Sequence, residues 1–595
     1  MDTRNNYDIR VDNVLSKTQN FLQVSLSLVQ LLLTSINSPL RLDKLILPVF
    51  SLGGVGLSLF LTSALLGGAW VAYNPALSRP FVLMMLGGVG FFLLIAFDII
   101  PVQWAARFVV IVAGIVAFYF VSQYAHFAYE EEVGVLARLG RVTGSLSPNI
   151  IFYTPHPNAV AGFLEGAFLL SLALTWQAHR YQRFFWSATI LVMGYALLIS
   201  ASRGAWTGLV VALSLWALLK FTRRWPQFAS LGIGLVAGLG LEVFVIAYLA
   251  SPNPHIPLFS SIADTGESRL TLYRNSLALW GDYPFTGIGP GETFAMVYSR
   301  YQLLINVPYL YYAHNLFLSV GLGQGIVGLA GLGLMLVAFY RFVIQVESSI
   351  EPGNELRPLF RAAWLGVTAS LIHGLTDSVQ FSPDFWTMPM IFALAGITIA
   401  AGNKIKGKGA KTPGHKGLII FPLRLCSPAP LLFLSIFVIA MIFFWRPLTA
   451  AWYANLGANY QTRAELSEVD ETTRERLLAQ AASYFKRTLV LNPTHPVANR
   501  RLGMMALDQN EFEVAAAYLE QSYVQQSYNQ ATLKALGYAY LWTGQLDTAY
   551  RLFQQVDFKS RLLEELNYWQ WQWEVQGRED LAGYAEKMAQ RIPDK

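Results

Sequence analysis

The sequence predicts an all-α protein: a polytopic membrane helix bundle of eleven or twelve spans, followed by a soluble α-helical domain. Three observations lead there. Charged residues make up 13% of the 595 residues, about half the share of a soluble domain. Apolar residues, 54% of the chain, gather in runs of about 17–25 residues, the length that crosses a bilayer as a helix. From about residue 447 the runs give way to polar-faced helices with an internal period. The chain is too long for one domain, and the change of pattern divides it into a membrane core, 1–446, and a helical domain, 447–595.

The apolar runs lie at 45–69, 81–99, 103–123, 157–176, 184–200, 205–221, 228–250, 313–340, 361–377, 385–402 and 430–446. Phe21 to Ile36 is shorter and carries Ser and Gln, so it reads either as a twelfth span or as a helix lying in the interface. Met1 to Ser16 is polar and of mixed charge, without the basic, apolar and small-residue order of a cleaved signal peptide.

Orientation follows from the bias of Lys and Arg towards cytoplasmic loops. One set of alternate loops holds Arg41 and Lys44, Arg180 and Arg183, Arg223 and Arg224, then Arg341, Arg357 and Arg361. It ends with Lys404, Lys406, Lys408, Lys411, Lys416 and Arg424. The other set has Arg79, Arg138, Arg141 and Arg203, and no basic residue between 378 and 384. The first set is therefore expected in the cytoplasm. The loop 251–312, Arg203, His314 and everything after 447 are then expected outside. The net charge of +6 reflects this loop bias, so no nucleic-acid partner is expected. The single cysteine, Cys426, excludes an internal disulfide and a cysteine metal cluster.

The outer loop 251–312 is too long for a plain connector. It holds a helical stretch, Glu267 to Trp280, and then the turn-rich segment Gly281 to Gly291. Glycines at this density let a backbone turn sharply or approach a ligand. No Gly-Lys-Ser/Thr closes the segment, so it is not a phosphate-binding P-loop.

In the tail, Leu502-Gly503 recurs as Leu536-Gly537, 34 residues on. Ala481, Ala515 and Ala549 keep this period, as do Phe485, Leu519 and Phe553. The pattern resembles the tetratricopeptide repeat. Two repeats are clear, and a third is partial, with a first helix near Ala451 to Tyr460 and an acidic insertion, Glu465 to Glu475. Such helix pairs bury their apolar faces on one another, and the array reads either as a partner-binding groove or as a capped spacer.

Ionisable groups at or within a bilayer are expensive and mark functional candidates. His314 heads a glycine-rich span after Tyr311-Tyr312-Ala313. It is either a catalytic imidazole or a histidine satisfying a carbonyl at a helix start. Arg203 lies between two spans on the sparse side. It either snorkels at the surface or forks to phosphate oxygens. Arg269 opens the helix in the outer loop, with Arg274 as its local competitor. His373 and Asp377 are four apart, hence on one helix face. They read as a proton relay, as two ligands of an incomplete metal site, or as a contact between helices. Glu165 lies inside a span and needs a partner, an arginine of the site, unless it packs as the neutral acid. His156 and Asn158 sit at the mouth of that span.

His314-Asn315, nine residues, Gly325, two residues and Gly328 is similar to the motif of the O-antigen ligase family, membrane enzymes that move lipid-linked glycans onto an acceptor. Ser202-Arg203-Gly204 between two spans also looks like the family's pattern. So does an arginine followed by an aromatic and then by Pro-x-x-Gly-x-Gly, which Arg269, Tyr273, Pro284, Gly287 and Gly289 fit. The likeness covers roughly 150–400. The match near His373 and Asp377 is loose, and the tail is present in some relatives and absent from others.

The resemblance implies a GT-C-like fold and a glycosyltransferase without metal or cofactor, on the outer (periplasmic) face of a bacterial cytoplasmic membrane. Its donor would be a glycan on undecaprenyl diphosphate, its acceptor a hydroxyl of a glycan, lipid or protein. His314 would be the base, with Arg203 and Arg269 neutralising the diphosphate. Arg274, Tyr273, Asn315, Asn158, His373 and Asp377 would line the pocket, and the tail could hold a protein partner or acceptor. Repeat-unit polymerisation and protein O-glycosylation share this core with ligation. The rival class is a transporter or flippase of lipid-linked sugars, which should show paired halves or broken helices at mid-membrane. The spans show no internal symmetry.

Overall fold

The computed structural model describes residues 52–127, 129, 135–221, 269–305, 308, 310–351, 353–381, 386–409, 443–557 and 559–592. The expected spans 21–36 and 228–250, and nearly all of 430–446, lie outside the described residues.

The membrane part holds α1 (Leu52–Leu66), α2 (Pro75–Ala96), α3 (Val102–Gln123), a short α4 (Val135–Gly144), α5 (Pro157–Gln177), α6 (Arg180–Ile199) and α7 (Arg203–Phe221). The segment expected as the outer loop contributes α8 (Arg269–Trp280) and α9 (Phe294–Tyr298). Then come α10 (Leu316–Ser349), α11 (Arg357–Thr376) and α12 (Met388–Gly409). No strand occurs among the described residues, and the chain is an all-α polytopic bundle. Among the described residues seven helices are long and apolar enough to cross a membrane: α1 and α3 with their terminal turns, α2, α5, α6, α10 and α12. The expected spans 205–221 and 361–377 are the helices α7 and α11.

α5 is the most buried of the seven and packs on α6 and α11, while α1 lies along α10 and α2 along α12. Small residues permit these close approaches, as lipid-embedded packing requires. A Cβ on Gly56 of α1 would stand 2.8 Å from the Gly331 carbonyl of α10. Chain direction gathers the starts of α5, α7 and α10 and the end of α11 at one end of the bundle. At the opposite end Arg361 pairs with Glu347 at 2.6 Å and Lys404 with Asp98 at 2.7 Å.

The C-terminal helices are α13 (Trp445–Leu466), α14 (Glu471–Leu491), α15 (Pro496–Asp508), α16 (Phe512–Gln525), α17 (Gln530–Trp542), α18 (Leu546–Phe553), α19 (Lys559–Val575) and α20 (Glu579–Ala589). They pack as four successive pairs. Three pairs repeat one contact, in which a glycine of the first helix receives a large side chain of the second: Gly457 with Phe485, Gly503 with Leu519, and Gly537 with Phe553. The 34-residue period tracks these contacts. Glu465 and Leu466 end α13 and Glu471 begins α14, so the acidic insertion is largely helical. The fourth pair carries no such glycine contact, and the period does not reveal it. Asp470, His495 and Asn529 cap α14, α15 and α17 through their side chains, supplying acceptors for otherwise unpaired backbone N–H groups.

The tail and the loop that carries α8 and α9 share one apolar cluster. Tyr283, Phe294, Tyr298 and Tyr301 of the loop are buried with Phe485, Leu502, Leu536 and Trp542 of the tail.

Candidate active site

His314 lies two residues before α10. Asn315 caps that helix, its Oδ1 accepting from Leu318 N at 3.0 Å, and its Nδ2 donates to Leu375 O of α11 at 2.8 Å. One asparagine thus fixes both the start of α10 and its position against the end of α11. His314 takes φ 48°, a left-handed conformation uncommon for a side-chain-bearing residue, and such strain clusters at functional sites. Ala201, two residues before Arg203, is also left-handed at φ 52°.

The His314 ring is oriented from two sides. Its Nδ1 lies 3.2 Å from Asp377 Oδ1, and the Tyr312 ring centroid lies 4.2 Å away. Asp377 also accepts from Asn158 Nδ2 and from Ser378 N, each at 2.8 Å. In the neutral ring, a carboxylate at Nδ1 makes that nitrogen the donor and leaves the lone pair on Nε2. The His314 side chain is 24% exposed and that of Asp377 3%, so the carboxylate is enclosed while the ring reaches the surface. Tyr273 of α8 closes the arrangement, its hydroxyl placed 2.8 Å from His314 O and 3.1 Å from Leu375 O.

Arg203 begins α7 and Arg269 begins α8, and both are exposed. Their guanidiniums are close enough to repel one another, and Arg269 also lies within electrostatic reach of Asp377. Among the described residues neither arginine makes an ion pair or a side-chain hydrogen bond. Arg274, the local competitor, pairs with Asp557 of the tail. The adjacent Gly204 has a structural reason: a Cβ there would stand 2.8 Å from Thr376 Oγ1 and 2.9 Å from His373 Nε2 of α11. With α5, α7 and α10 all starting here, three helix N-termini turn their positive dipole ends towards this rim, which favours an anion.

Two expected pairings are corrected. His373 does not pair with Asp377, whose carboxylate is committed to His314 and Asn158. Its Nδ1 lies 3.2 Å from Glu165 Oε2. Among the described residues Glu165 pairs with no arginine, and its Oε1 accepts from Ser370 Oγ at 2.6 Å. Glu165 is fully buried and His373 1% exposed, so this pair lies beneath the rim. His156 caps α5, its Nδ1 accepting from Asn158 N at 3.2 Å. The missed partner of both Ser370 and His373 is Glu165, which lies on a different helix, α5, and no local spacing signals it.

The glycine-rich turn meets the chain's own backbone. Ile326 N donates to Pro284 O at 2.8 Å and Ile288 N to Leu322 O at 2.7 Å. α10 is broken at Gly325, φ 65° and ψ −166°, where a Cβ would collide with Phe285 O. The second half of the His-Asn motif therefore seats the loop that carries α8 on α10.

The arrangement defines a multi-pass membrane protein with a cationic, histidine-bearing rim. Residues 188–333 match the family model described as O-Antigen ligase. The matched stretch contains Arg203, Arg269, His314, Gly325 and Gly328, and excludes Asn158, His373, Asp377 and the C-terminal helices. It supports a membrane glycan-processing enzyme of the O-antigen ligase and polymerase type. Comparison with curated proteins gives no match.

Proposed function

We propose that the protein transfers a glycan from an undecaprenyl diphosphate carrier to an acceptor hydroxyl, at the outer face of a bacterial cytoplasmic membrane. The observation that supports it most is the Asp377-held imidazole of His314 on the same rim as two guanidiniums without an ion-pair partner among the described residues. In the proposed reaction His314 Nε2 takes the acceptor's proton. The acceptor oxygen bonds to the anomeric carbon, and the bond from that carbon to the diphosphate oxygen breaks. The electron pair leaves with the carrier diphosphate, whose growing charge Arg203 and Arg269 neutralise. Fixed positive groups aimed at developing charge are usually the largest catalytic contribution, and a positioned histidine is the commonest group for such a proton transfer. The positive charge comes from arginine, so the reading requires no metal.

Ligation, repeat-unit polymerisation and transfer to a protein hydroxyl would share these steps and differ in the acceptor. Ligation is the first choice, because His314, Asn315, Gly325 and Gly328 fit the ligase motif at each of its positions. A flippase reading would also use the arginines, but it leaves the His314–Asp377 pair without a task. The test is purified protein in nanodiscs with a lipid-linked glycan and candidate acceptors. Free carrier diphosphate with a glycosylated acceptor is expected, and a change of sidedness without bond cleavage would overturn the reading.

A further inference from the structure

The C-terminal helices meet the outer loop through a dense set of polar contacts. Asp282 lies two residues beyond the end of α8, the helix that carries Arg269 and Tyr273. It is 1% exposed, and it takes Arg500 and Arg501, both fully buried, from α15. Arg501 Nε and Nη2 donate to Asp282 Oδ2 at 3.0 and 2.6 Å. The same guanidinium lies 3.7 Å from the Tyr301 ring centroid and donates to the Tyr283 hydroxyl at 2.9 Å.

Neighbouring first helices do likewise. On α13, Asn455 Oδ1 accepts from Phe285 N at 3.0 Å, while Asn455 and Asn459 both donate to Thr286 Oγ1 at 2.8 Å. Glu465 of α13 and Asp508 of α15 hold Arg300 at 2.8 and 2.7 Å. On α17, Lys534 Nζ donates to Leu303 O at 2.8 Å, next to Leu304, which is left-handed at φ 52°. The first helices of three successive pairs thus all face residues 282–304 of the same chain. The surface that a repeat array offers to a partner already has an occupant.

Burying two guanidiniums around one carboxylate is expensive, and apolar residues of similar volume often do as well for stability or better. What such a cluster adds is direction: it fixes one orientation of the end of α8. A shift of about 1 Å in a charge-stabilising group is enough to slow a reaction roughly 100-fold. We propose that the C-terminal helices are a brace for the chain's own outer loop, and that Asp282, gripped by Arg500 and Arg501, is a positioning residue for Arg269. The catalytic consequence rests on the function proposed above; the mechanical one does not.

The test uses the full chain in nanodiscs, with Cys426→Ser and spin labels on Leu270→Cys and Leu146→Cys, both exposed positions. Electron–electron distance measurements read the position of α8 against the bundle. Wild type is expected to give one narrow distribution, and Asp282→Asn a broad or displaced one. Asp282→Asn also strips two buried arginines of their counter-charge and can unfold the tail. The deciding variant is therefore Asp282→Leu/Arg500→Leu/Arg501→Met, which keeps apolar packing and removes the directional grip. With the tail's thermal transition present, this variant is expected to broaden the distribution and lower kcat about 10- to 100-fold. A narrow, unshifted distribution in the triple variant would overturn the brace. If wild type transfers no glycan, the proposed function fails while the distance measurement still decides the mechanical claim.

Discussion

Two sets of charges, both on the loop that carries α8 and the helices it packs against, are built in opposite ways. Around Asp282 each charge is enclosed and turned towards protein: two arginines at 0% exposure on a carboxylate at 1%. At the rim, Asp377 is enclosed but His314 reaches the surface, and Arg203 and Arg269 have no ion-pair partner among the described residues. The first arrangement can hold a loop and offers little to a substrate. The second leaves positive charge and a lone pair facing outward. Cationic residues with vacant hydrogen-bonding capacity beside an oriented histidine are the ones to expect at a diphosphate.

The largest effects should fall on the open set. His314→Ala, Arg203→Ala and Arg269→Ala are each expected to lower transfer by about 10²–10⁴-fold without loss of membrane insertion, measured as glycan transfer beside retention in membranes washed with alkaline carbonate. Wild-type transfer by His314→Ala would remove the base from the mechanism. Asp377→Asn should cost between about 10² and 10⁴-fold, because an amide at Nδ1 no longer fixes the donor tautomer. Its protein should stay as stable as His314→Ala, and equal transfer by both Asp377 forms would reduce that contact to packing.

The enclosed set should respond in stability. Asp282→Asn leaves Arg500 and Arg501 buried without a counter-charge, and breaking such a cluster costs about 3–5 kcal/mol. The readout is chemical denaturation of the tail followed by tryptophan fluorescence, with Trp542 and Trp573 buried in its core. A loss below about 1 kcal/mol would mean that the cluster is solvated in the working protein.

How much of this is legible in the sequence differs between the two sets for a physical reason. The spans are legible because a bilayer imposes a length, and the rim residues because charges next to lipid stand out. His314, Arg203 and Arg269 are singled out on these grounds. Asp377 is noticed too, but its partner is misread: sequence spacing favours His373 four residues away, whereas the fold brings His314 from 63 residues away. Glu165 meets His373 across 208 residues, and Asp282 meets Arg501 across 219. Such contacts follow from how helices dock, which no local period encodes. The tail's period is visible where Gly503 and Gly537 create the contact, and vanishes at α19 and α20, where the packing uses other residues.

A smaller effect ties the enclosed set to pH. His495 caps α15 beside Arg500. Burial lowers its pKa, Asp282 raises it and Arg500 lowers it again, and the net value is about 4 against 6.5. The folded tail therefore binds fewer protons than the unfolded chain between these values. Its contribution is present in full above about pH 6.5 and is lost as pH falls through about 4, worth about 3 kcal/mol at most. His495→Gln should flatten the fall in tail stability across that window, and an unchanged pH dependence would place the titration elsewhere.

The smallest prediction separates two arginines on one helix. Arg274 lies five residues after Arg269 on α8 but pairs with Asp557, at 43% and 26% side-chain exposure. Exposed pairs of this kind contribute about 0–1 kcal/mol, so Arg274→Ala should leave transfer within roughly threefold of wild type. Arg269→Ala, on the same helix, should nearly abolish it. Equal and severe losses in both would mean that α8 acts as one cationic face, and that the contrast between paired and unpaired arginines does not separate support from chemistry. Charge reversal at the partner sharpens this further: Asp557→Lys should repel Arg274 and loosen the tail slightly, with the Arg269 contribution to transfer intact.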